Sequence, residues 1–132
     1  MDTLAFSFTK LVVGDLEASE GFYRDVFGMK PLHRVTTREH RYALEEVILS
    51  LDGEPSAHAL ILTRYLVRPC PAAGAAWTGF VVTDIDATIA RLEKKGGRIE
   101  VPVHDNEEHG VRAAIASDPE GHLIELIQMV AR

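Results

Sequence analysis

The sequence predicts an α+β fold, two βαβββ modules whose curved mixed sheets surround a cleft. Three observations lead there: an internal repeat, a capped amphipathic helix in each copy, and strand-sized apolar segments after each helix.

Residues 11–19, LVVGDLEAS, align with residues 80–88, FVVTDIDAT, at a constant offset of 69 positions. Both segments carry an apolar strand end, an Asp, an apolar residue, an acid, Ala and a hydroxyl side chain. Asp15 and Asp84 suit helix N-caps, where a carboxylate accepts from free N–H groups and opposes the helix dipole. The first helix is expected over LEASEGFYRDVF up to Gly28, the second over IDATIARLEKK up to Gly96–Gly97, glycine permitting the left-handed end. Leu16, Phe22, Tyr23, Val26 and Phe27, like Ile85, Ile89 and Leu92, recur at helical spacing, so each helix covers a sheet.

Strands are expected at residues 31–36, 42–51 and 57–66 in the first half and at 98–103, 111–117 and 122–130 in the second. Turn residues stand where hairpins need them, at Asp52-Gly53-Glu54-Pro55 and Asp118-Pro119-Glu120-Gly121. The aperiodic segment RPCPAAGAA, residues 68–76, is the expected connector between module one, 1–67, and module two, 77–132, of a single domain. Lone Cys70 falls in it, between two prolines, and reads as a linker residue. Helices on one face of a sheet leave the other face to enclose a cleft, the default ligand site.

Composition narrows the function. A formal charge of −6 offers no attraction to nucleic acid or anionic membranes, and no apolar run approaches the roughly 20 residues of a membrane span. The first ten residues lack a basic segment followed by an apolar one, so a cytoplasmic location is expected.

The segments KLVVGDLEASEGFYRDVFGMKPL and FVVTDIDATIARLEKKGG, followed by SDPEGHLIELIQ, resemble the vicinal oxygen chelate superfamily: glyoxalase I, extradiol dioxygenases, fosfomycin-inactivating transferases and bleomycin-binding proteins. The resemblance spans nearly the whole chain. In metal-dependent members it implies His or Glu ligands on the first and last strand of each half. The first-strand positions, seven residues before Asp15 and Asp84, are Phe8 and Trp77. The last-strand position of the first half falls at Ile61 or, with a one-residue slip, Leu62; in the second half it is Glu125. One carboxylate among a phenyl, an indole and an alkyl chain is not a metal site. Neither a metal nor another cofactor is therefore expected, and the pattern is closer to the metal-free drug-binding branch. The resemblance also implies a homodimer in which halves of two chains complete each cleft.

Phe8 and Trp77 are candidate stacking platforms, with plugging of the cleft as the alternative. Glu125, on a sheltered strand face, is a candidate base or anionic partner of a ligand amine. If residue 117 faces 122 across the DPEG turn, Arg112 shares the cleft side with Glu125 and can neutralise it or clamp a substrate anion. Lys10 has the parity of Phe8. Tyr42 and Glu46 lie on a strand of open register. His104-Asp105-Asn106-Glu107-Glu108-His109 is expected as a polar loop at the lip of the cleft.

The expectation is a metal-independent protein that binds a small flat organic ligand, cations included, through Phe8, Lys10, Ile61, Trp77, Arg112 and Glu125. The alternative is a lyase, isomerase or dioxygenase-like enzyme with Glu125 as base and Arg112 as electrophilic clamp.

Overall fold

The computed structural model describes residues 2–53 and 58–130 and divides into two compact units, residues 1–71 and 72–132. Each unit is βαβββ. The first contains β1 (Phe8–Val12), α1 (Leu16–Phe27), β2 (Lys30–Thr37), β3 (Leu44–Ser50) and β4 (Ala59–Tyr65). The second contains β5 (Trp77–Val81), α2 (Ile85–Lys94), β6 (Arg98–Asn106), β7 (Val111–Ser117) and β8 (Leu123–Met129). Each builds a four-stranded mixed sheet, in the orders β1-β4-β3-β2 and β5-β8-β7-β6, in which only the first strand runs parallel to its neighbour.

Local chemistry sets the helix ends. Asp15 Oδ1 accepts from Ala18 N and Asp84 Oδ1 from Ala87 N, both at 3.0 Å. The chain leaves α1 through Gly28 at φ 72°, a left-handed conformation whose N–H returns to Arg24 O at 2.9 Å. α1 buries Phe22, Tyr23 and Val26, and in the same unit Leu11, Val47, Leu49 and Leu62 of the sheet are buried, with Val13 just past β1. In the second unit Ile85 and Leu92 of α2 are fully buried, as are Ala114, Ala116, Ile124 and Leu126. Each large side chain removed from water in this way contributes about 2 kcal/mol. No helix among the described residues is long and apolar enough to cross a membrane.

Two expectations are corrected or fall outside view. β6 extends to Asn106, so His104, Asp105 and Asn106 are strand residues paired with Ala113, Arg112 and Val111 rather than parts of a loop. As the edge strand, β6 turns one flank to solvent and accommodates polar side chains that a central strand would not. Of the first expected hairpin turn, Glu54 and Pro55 lie outside the described residues, as does residue 57 of the strand that follows.

Candidate functional site

In the first unit, strand register decides which side chains share a face. β1 pairs with β4 as Lys10↔Ile61, and β3 with β4 as Glu46↔Thr63. Phe8, Lys10, Ile61, Thr63, Tyr65, Leu44 and Glu46 therefore occupy one face, while Leu11, Leu62 and Val47 alternate to the other. The second unit repeats the pairing: Gly79, 69 positions after Lys10, pairs with Glu125. Ile61, not Leu62, is thus the structural counterpart of Glu125.

Glu46 is the buried charge of the first face. Lys10 Nζ donates to its Oε1 and Oε2 at 3.2 and 3.0 Å, and the buried Thr63 hydroxyl donates to Oε2 at 3.0 Å. A carboxylate taken from water needs such donors. The Lys10 side chain remains 40% exposed. Above this pair lies a cavity of about 350 Å³ walled by Tyr42, Tyr65, His40 and Leu44. Tyr42, expected on a strand, lies in the turn before β3, fixed by one bond to a ring nitrogen and two to carbonyls: Tyr42 N donates to His40 Nδ1 at 3.0 Å, Ala43 N to His40 O at 3.0 Å, and Leu66 N to Ala43 O at 2.9 Å. Arg41 and Arg68 place their guanidinium carbons 5.2 and 4.5 Å from the Tyr42 ring centroid.

Trp77 and Glu125 lie on one face of the second sheet with Ile115, Leu123 and Ile127. Within their units Trp77 is 52% and Phe8 50% exposed. Glu125 is also exposed, which corrects the sheltered position expected for it. Arg112 is not on that face. β7 pairs with β8 as Ser117↔Leu123 and Ile115↔Glu125, so Arg112 opposes Gln128 and points to the other side. There its guanidinium meets Asp86 of α2 at 3.4 Å and Asp105 of β6 at 3.6 Å. The physical reason is the turn: Asp118 N donates to His122 O at 2.9 Å, and Gly121 adopts φ 95°, giving a three-residue loop over 119–121. That loop pairs Ser117 with Leu123 instead of the expected His122, a shift of one residue.

A second charged arrangement covers α1. Arg34 on β2 donates from Nη1 and Nη2 to Oε1 and Oε2 of buried Glu20 at 2.7 and 2.6 Å. These hydrogen bonds, opposed by burial, hold the Glu20 carboxyl below its ordinary value. The pairing fixes helix to sheet and presents no reactive group.

Sequence reasoning left Tyr42 and Glu46 without a face and passed over Thr63, Arg41 and Arg68. The β3–β4 register was the missing information, because it alone sets Glu46 beside Thr63. The two arginines belong to no periodic pattern and converge only through the loop and the strand end that carry them.

The sequence profile of the Glyoxalase/Bleomycin resistance protein/Dioxygenase superfamily matches residues 5–126. The chain belongs to this superfamily. Among curated relatives, the lactoylglutathione lyase of Neisseria meningitidis is 32% identical over 124 residues, covering 91% of this chain and 87% of that protein. A glyoxalase family protein from Bacillus cereus superposes with a TM-score of 0.84 at 22% identity, over 99% of this chain and 97% of the other. An antibiotic binding protein from Streptomyces gives a TM-score of 0.70 at 22% identity, over 98% of each chain. At such identities the structural likenesses establish the fold.

The metal implied by the superfamily's glyoxalase members does not fit the residues at the corresponding positions. Phe8 and Ile61 in the first unit and Trp77 in the second have no donor atom for a cation, leaving the single carboxylate of Glu125. Among the described residues no group of three or more His, Cys, Asp and Glu converges as a substitute centre.

Proposed function

We propose that this superfamily member binds a small planar organic ligand without a metal centre. The observation that carries the proposal is the register equivalence of Ile61 with Glu125, which leaves one oxygen donor among the four corresponding positions. The same substitutions suit binding. Phe8 and Trp77 offer aromatic faces to solvent, and Glu125 stands two positions along β8 from Leu123, the residue that pairs with Trp77. Indole and phenyl faces attract flat and cationic molecules, and a neighbouring carboxylate adds to that attraction. The ligand contacts on these faces are assigned to Phe8, Lys10, Ile61, Trp77 and Glu125. Homodimerisation is part of the proposal, since Trp77, Val81 and Met129 leave an apolar strip exposed on the second sheet.

A second reading rests on the lactoylglutathione lyase relatives: a glyoxalase-like lyase or isomerase in which Glu125 is the base. Arg112 cannot clamp a substrate beside Glu125 in that scheme without changing faces of the sheet.

Trp77 is the only tryptophan, so its fluorescence separates the readings. Saturable quenching by planar organic cations, combined with no lactoylglutathione lyase turnover in the presence of added Zn²⁺ or Ni²⁺, supports binding. Turnover that disappears in Glu125→Ala supports the enzyme.

A further inference from the structure

We infer that the first unit carries a second site, selective for a small organic anion with a planar body, in the cavity above the Lys10–Glu46 pair. It does not rest on the proposal for Phe8, Trp77 and Glu125, with which it shares only Lys10.

Its unspent hydrogen-bonding capacity is mainly donor capacity. An ionised carboxylate has roughly four acceptor sites. Glu46 already receives two bonds from Lys10 and one from Thr63, so the acidic group on the floor is largely satisfied by the protein. Lys10 keeps a further N–H for a ligand, and its ammonium is partly in solvent. His40 Nδ1 accepts from Tyr42 N, which in the neutral ring leaves the proton on Nε2 and makes that nitrogen a donor.

Two cations flank Tyr42, a wall residue of the cavity. Arg41 and Arg68 both lie against the Tyr42 ring, and among the described residues neither has a carboxylate partner. A guanidinium held over an aromatic face keeps its N–H edges available for in-plane bonds, and its stacked position lowers the entropy lost on binding an anion. Lys10 and Glu46 balance within the lining, and Arg41 and Arg68 beside Tyr42 add two positive charges at the cavity's aromatic wall in a chain whose formal charge is −6. Tyr42 and Tyr65, with ring centroids 6.5 Å apart and 50° between their planes, supply an aromatic wall for the body of the ligand. The fitting class is an aryl carboxylate or an aryl phosphate, whose oxygens meet the guanidinium edges while the ring packs on the tyrosines.

The test is an NMR titration of the full chain, labelled with nitrogen-15, using benzoate and phenyl phosphate, with benzamidinium as the cationic counterpart and inorganic phosphate as the anion without a ring. Saturable shifts of the Tyr42 and Tyr65 amides with benzoate, phenyl phosphate or both are expected, and the two anions tell carboxylate from phosphate preference. The double variant Arg41→Ala/Arg68→Ala, exposed at both positions, is expected to keep the native spectrum and to weaken anion binding at least about tenfold. Tighter binding of benzamidinium, equal binding of inorganic phosphate and phenyl phosphate, or unchanged affinity in the double variant would overturn the assignment. So would shifts confined to the Trp77 indole, or no saturation by any of the four probes.

Discussion

Arg112 and Glu125 lie on opposite faces of the second sheet, because Glu125 pairs with Ile115 and Arg112 with Gln128. The arginine is bound to Asp86 and Asp105, at 3.4 and 3.6 Å, and serves to tie α2 and β6 to β7. Arg112→Ala is therefore expected to lower stability by about 0.5–1 kcal/mol, as for a partly exposed pair, and to leave ligand quenching of Trp77 unchanged. Glu125→Ala is expected to do the reverse, weakening the binding of cationic ligands with little effect on the urea midpoint. Parallel urea and fluorescence titrations of the two variants check this.

Glu20 and Arg34 make the acid limb of stability sensitive to one pair. The folded Glu20 carboxyl titrates below its unfolded value near 4.5, chiefly through the Arg34 hydrogen bonds. Below that value the unfolded chain takes up the proton more readily than the folded one. The stabilisation is present at neutral pH and is lost as pH falls through the folded value. Arg34→Met is expected to cost about 1 kcal/mol at pH 7 and much less at pH 3, measured by urea denaturation at both.

Gly97 sits where no side chain fits. A Cβ there would lie 2.5 and 2.7 Å from Leu92 Cδ2 and Cγ and 2.8 Å from Ser117 O. Leu92 is fully buried against the sheet and cannot withdraw, so Gly97→Ala is expected to cost about 1–3 kcal/mol by overpacking. Gly28→Ala is strained for a different reason, its φ of 72°, with open space around the position, and is expected to cost about 1 kcal/mol. Thermal unfolding of the two variants checks both, with Gly97→Ala expected to lower the melting temperature at least as much as Gly28→Ala.

Glu46 is expected to matter for stability as well as for the cavity it floors. Glu46→Ala strands the buried Thr63 hydroxyl and removes the partner of Lys10, at a cost of about 1–3 kcal/mol. Glu46→Gln keeps an acceptor for Thr63 and is expected to recover part of that loss in a urea titration.

These positions also show what the sequence holds and what it does not. The repeat, the Asp15 and Asp84 caps and the helix-ending glycines are local signals, and the helices and strands follow them closely. The candidate positions Phe8, Trp77 and Glu125 were legible because the offset of 69 aligns the first strands and LIEL marks the last, whereas Ile61 is told from Leu62 only by the register of β1 with β4. Faces were harder. One residue more or less in the 118–122 turn inverts the side on which Arg112 stands, and only the bonding of Asp118 to His122 fixes it. Likewise Glu46 gains its meaning from Thr63, 17 residues away, through pairing that no local pattern encodes.

The central claim, that binding here proceeds without the superfamily's metal centre, is tested most directly by metal analysis of the untagged protein. Elemental content is measured as purified and again after anaerobic incubation with Zn²⁺, Ni²⁺, Mn²⁺ and Fe²⁺ followed by desalting. The account predicts well under one metal ion per chain in every case, with Trp77 quenching by planar ligands the same before and after. Stoichiometric metal that is lost in Glu125→Ala would contradict it.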